Sequence, residues 1–77
     1  MNQSTATNRR ESVTIEHGAL GMHLEGNTAV FATTTGLFAV VNMERNRNGA
    51  LRLIRLFSNE ITARRYNYAI NGDSLGF

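Results

Sequence analysis

Residues 50–70 read ALRLIRLFSNEITARRYNYAI, and the fold turns on whether they are helix or strand. As a strand, 50–57 alternates poorly, because Arg52 and Arg55 fall on opposite faces of a period-two ladder. As a helix, Ala50, Leu53, Ile54, Phe57 and Ile61 line one side, and Arg52, Arg55, Asn59 and Thr62 line the other. That is the spacing of an amphipathic helix. Asn48 is a suitable N-cap and Asn71-Gly72 a suitable stop. The pattern therefore predicts a helix over 50–70, with Ser58-Asn59 as its weak point.

The chain ahead of this segment is β-like. Residues 28–43, TAVFATTTGLFAVVNM, read as a hairpin about Thr35-Gly36 that sets Val30 against Val41, Phe31 against Val40 and Ala32 against Ala39. Both faces of it are apolar, so each needs a cover. One helix covers one face. The other face makes Phe31, Phe38 and Val40 the candidate interface of a homodimer. A second hairpin is expected over 13–25, with Gly18-Ala19-Leu20-Gly21 as its loop. It would place Ile15 opposite Leu24 on the apolar face and Glu16 opposite His23 on the wet one. Residues 1–11, MNQSTATNRRE, are polar and without periodicity, and read as a flexible tail ahead of a single small domain, 12–77.

The expected fold class is thus α+β: a small antiparallel sheet of about four strands with a C-terminal helix across one face. The alternative is an all-β small barrel or sandwich, in which residues 50–70 supply further strands that close the sheet on itself.

Composition narrows the chemistry. The chain has 77 residues, 42% of them hydrophobic and 18% charged, which suits one globular domain with a small core. There is no Cys, which excludes disulfides, thiolate metal sites and a cysteine nucleophile. There is no Lys either, so P-loop and Schiff-base chemistry are excluded. The 8 basic residues are all Arg against 6 acids, a net charge of +2. That excess is too small to imply nucleic-acid binding by itself. No apolar run approaches the ~20 residues of a membrane helix, and none follows Arg9-Arg10 as a signal core. A cytoplasmic protein with no membrane partner is expected.

Several strings invite a chemical reading. Gly72-Asp73-Ser74-Leu75-Gly76 matches the G-x-S-x-G nucleophile elbow and spells the letters that name the GDSL hydrolases. An elbow needs a strand before the Ser and a helix after it, yet only Gly76 and Phe77 follow. Glu16, His17, His23 and Glu25 carry metal-ligating groups, but the expected register puts the histidines on opposite faces. No catalytic residue, metal site or cofactor is assigned.

Arginine is left. Arg45, Arg47, Arg52, Arg55, Arg64 and Arg65, with Tyr66 beside the last pair, are the candidate partner-binding or anion-binding residues. Guanidinium forks bind phosphate bidentately and aromatic faces stack on bases. The leading functional expectation is a small non-enzymatic regulatory or inhibitory protein, of the size that phages and plasmids carry. It would act by stoichiometric binding to a protein partner through the surplus apolar face. The alternative is arginine-mediated binding of nucleic acid or a nucleotide-like anion.

Overall fold

The computed structural model describes residues 4–23, 26–45, 47 and 49–72. Its strands are β1 (Ser4–Thr7), β2 (Ser12–His23), β3 (Thr28–Thr33), β4 (Phe38–Arg45) and β5 (Leu51–Phe57), followed by the helix α1 (Glu60–Ile70). The strands form a closed barrel in the order β1-β2-β3-β4-β5. Neighbours in sequence pair antiparallel, and β1 closes the ring by pairing parallel with β5. An odd number of up-and-down strands makes that parallel seam unavoidable. The fold is α+β, with the C-terminal helix expected from the sequence, although the helix is about half as long as its periodicity suggested.

The apolar faces of β3 and β4 account for this arrangement. Alternate residues point into the barrel, where Ala29, Phe31, Ala39 and Val41 meet Ala6, Ile15, Leu51 and Leu53. Three of these residues are alanines that are fully buried, which suits the narrow lumen of a small barrel. The intervening Val30 and Val40 point outward and are fully buried beneath Ala63 of α1. Leu20, Phe38, Ile54, Phe57 and Tyr66 surround that second cluster. The barrel lumen covers one face of the hairpin and the helix covers the other.

The expected register is off by one residue. Val30 lies opposite Val40, and Phe31 opposite Ala39. The loop explains the shift: Gly36 N–H donates to Thr33 C=O at 3.2 Å, and Gly36 takes φ +84°. The turn thus carries one residue more than the two-residue hairpin expected at Thr35-Gly36, with Gly in the left-handed position such a bulged turn requires.

The expected 13–25 hairpin does not form. Residues 12–23 are one strand that pairs first with β1 and then with β3. Between the pairs Ile15↔Thr33 and Ala19↔Phe31, β2 advances by more residues than β3, and a second irregularity follows before Gly21. Gly18-Ala19-Leu20-Gly21 is therefore a bulged stretch within a strand, bending it around the barrel. Glu16 and His23 lie on that same strand and are not cross-strand partners.

The expected tail is also corrected. Its residues Ser4–Thr7 are β1, with Ala6 fully buried in the lumen. Without this strand the barrel has no closure.

The expected 50–70 helix divides at its weak point. Leu51–Phe57 is a strand, and a bulge reconciles its two arginines: Val40 pairs with Arg55, whereas Val41 pairs with Leu53. The extra residue lets Leu51 and Leu53 point inward while Arg52 and Arg55 both stay exposed. Asn59, rather than Asn48, caps the helix, its side chain accepting from Thr62 N–H at 3.1 Å. Asn48 lies outside the described residues. The helix stops where expected, Asn71 and Gly72 donating their N–H groups to Tyr68 and Ala69 C=O, each at 3.1 Å.

A buried polar latch holds the C-terminal end of the helix. Thr28 Oγ1 donates to Asn67 Oδ1 at 2.5 Å. Asn71 Nδ2 donates to Thr28 Oγ1 at 2.8 Å and to Asn67 C=O at 2.6 Å. Asn71 sits so close to Gly26 that a Cβ there would overlap its side chain.

Candidate anion-binding site

The turn from β1 to β2 is built on Asn8. Its side-chain oxygen accepts from Arg10 N–H at 2.7 Å and Glu11 N–H at 2.8 Å, and its own N–H donates to Glu11 C=O at 2.9 Å. This Asx turn is the reason an Asn opens the loop. It leaves Arg9 and Arg10 exposed at the tip.

The same turn ends β1 early. Thr7 lies opposite Arg52, and β5 runs on through Leu53 and Ile54 without β1 beside it. A hollow of about 460 Å³ opens there, lined by Asn8, Arg9, Arg10, Arg52, Leu53 and Ile54. A second, of about 350 Å³, shares Arg52, Leu53 and Ile54 and adds Asn42 from β4. Arg9, Arg10 and Arg52 make no ion pair or side-chain hydrogen bond with any described residue, and among the described residues no carboxylate lines either hollow. Guanidinium groups and Asn amides are donors, so the chemistry of this lining favours an anion.

The other arginines are placed apart from these two hollows. Arg45 donates to Gly49 C=O at 2.5 Å and to Ser4 Oγ at 3.3 Å, tying the turn after β4 to β1. Arg47 is exposed within that turn. Arg64 pairs with Glu60 one helical turn earlier, at 2.8 Å, and its stem passes over Gly21. Arg65 is exposed on α1.

Arg55 lies over two rings, its guanidinium carbon 5.5 Å from the centre of Phe57 and 5.6 Å from that of Tyr66. Those rings pack against each other, with centres 5.1 Å apart and planes tilted by 53°. Tyr66, expected to be free to stack on a ligand, is half-buried beneath Arg55.

Of the residues expected to bind an anion, only Arg52 reaches the hollows. Its companions Arg9 and Arg10 were assigned to a tail. Asn8 was the available signal, as a turn-former preceded by the β-branched pair Thr5 and Thr7.

Phe31 and Val40 are buried in the lumen and under the helix, and Phe38 packs at the edge of the outer cluster. They give a second protomer no surplus apolar face to cover.

Ser74 and its flanking residues 73–77, and Glu25, lie outside the described residues, as do the side chains of His17 and His23. Among the described residues, no cluster of metal-ligating side chains occurs, and no helix is long and apolar enough to cross a membrane. No family model, curated protein or solved structure matches the chain.

Proposed function

We propose that this chain is a non-enzymatic binding protein that holds a phosphate-bearing anion, of the kind nucleic acids and nucleotides present, at the hollow between the Asn8 turn and β5. The observation that carries this reading is the convergence of Arg9, Arg10 and Arg52 on one hollow with no carboxylate among the described residues to neutralise them. Exposed guanidiniums that already face a carboxylate have little to gain from a ligand, whereas these keep their full capacity for bidentate pairing.

The test is isothermal titration with inorganic polyphosphate at low salt. Binding is expected, weakening steeply as salt is raised, because each bound phosphate releases counterions. Reversing the charges in Arg9→Glu/Arg10→Glu/Arg52→Glu is expected to abolish it while circular dichroism stays native. Binding that ignores this triple change, or no binding at all, sinks the reading.

A stoichiometric protein partner is the second reading. Supporting it are apolar side chains left in solvent: Ile61 at 61%, Met22 at 46% and Ile70 at 41% exposure. Association of that kind would survive high salt and be lost in Ile61→Asp.

A further inference from the structure

Resting on the anion-binding reading, we infer that the ligand is single-stranded nucleic acid, its phosphates held at the two hollows that share Arg52 and an unpaired base stacked on Arg55. Arg52 lines both hollows, so successive anionic groups of one chain can flank a single guanidinium. Arg55 follows on the same strand, about 10 Å further along at the usual rise per residue. A lone phosphate cannot span from the hollow to Arg55; a polymer can.

Arg55 is what distinguishes a nucleic acid from other polyanions. Its guanidinium is seated over Phe57 and Tyr66, which fixes its position before any ligand arrives. The residue is exposed, so the side turned away from the rings is open to solvent. A planar cation held in this way is a platform for a base, since guanidinium planes stack on unpaired bases as aromatic rings do. A duplex keeps its base faces covered and gains nothing from such a platform. Ile54 joins the two parts, lining both hollows while packing in the cluster that holds Phe57 and Tyr66.

The experiment compares Arg55 with Arg55→Lys, which keeps the charge and loses the plane. Three probes are used at one ionic strength: a labelled oligothymidylate, its duplex with oligoadenylate, and inorganic polyphosphate. Wild-type protein is expected to prefer the single strand to the duplex. Arg55→Lys is expected to weaken oligothymidylate binding by about fivefold or more and to leave polyphosphate binding as it was. Equal affinity for single strand and duplex, or a substitution that changes both ligands alike or neither, overturns the inference while the anion-binding reading stands. Failure of all the probes overturns both.

Discussion

The latch of Thr28, Asn67 and Asn71 and the hollow ringed by Arg9, Arg10 and Arg52 are both polar, and they are in opposite states. In the latch, Asn67 is 2% exposed, Thr28 is 4% exposed, and the hydrogen bonds among the three residues are internal. In the hollow, the arginines are exposed and have no side-chain partner among the described residues. A small domain tolerates buried amides only when they are satisfied, because a buried donor or acceptor left alone costs about 1–3 kcal/mol. It tolerates unpaired arginines at the surface at little cost, and what they add to the molecule is free capacity for a ligand. Polarity that serves the fold is thus satisfied inside the chain, and polarity that the proposed binding would use is left outside.

The sharpest way to break this contrast is Asn67→Ala. It removes the acceptor of Thr28 Oγ1 and opens a void under α1, so a loss of about 2 kcal/mol is expected, read as a fall in Tm of roughly 10 °C. Polyphosphate affinity of the folded fraction should not change. A stable Asn67→Ala protein would mean that water or a rearranged Asn71 replaces the amide, and that the latch is not what fixes the helix.

How much of this was legible in the sequence depends on which rule governed each segment. The two-faced apolarity of 28–43 correctly demanded a cover on both sides, and the helix at its C-terminal end was readable from Asn71-Gly72 and the spacing of apolar residues. The second cover was expected from a second protomer, because barrel closure depends on β1 and β5, the segments with the weakest local signals. Ser4–Thr7 has a single apolar residue, Ala6, and its identity as a strand comes from the partners on either side. In β5, the bulge beside Ile54 shifts the alternation, so a strand imitates the helical period across Ala50, Leu53, Ile54 and Phe57. Arg9 and Arg10 were missed with β1, since a turn is recognised only once the strands it joins are known.

A smaller effect separates helix from strand in the old ambiguous segment. Asn59→Ala removes the side chain that accepts from Thr62 N–H, and the expected cost is about 1 kcal/mol, or roughly 5 °C in Tm. If α1 instead extended back through Phe57, Asn59 would be interior to it, and Ala, the better helix former, would stabilise the protein. The sign of the change therefore decides the boundary.

Arg52→Ala has the smallest expected effect on stability and is the most informative about the site. Arg52 is exposed and makes no side-chain hydrogen bond or ion pair with a described residue, so its loss should move the folding free energy by less than about 0.5 kcal/mol. Yet it lines both hollows, so polyphosphate binding should weaken and its salt dependence become shallower, fewer phosphates being neutralised. Arg64→Ala is the matched control: it also removes one exposed arginine, but one already paired with Glu60. If the two variants lose affinity equally, binding follows net charge and the hollow has no special standing. If only Arg52→Ala loses it, position rather than charge selects the ligand, as expected of a guanidinium without a partner among the described residues.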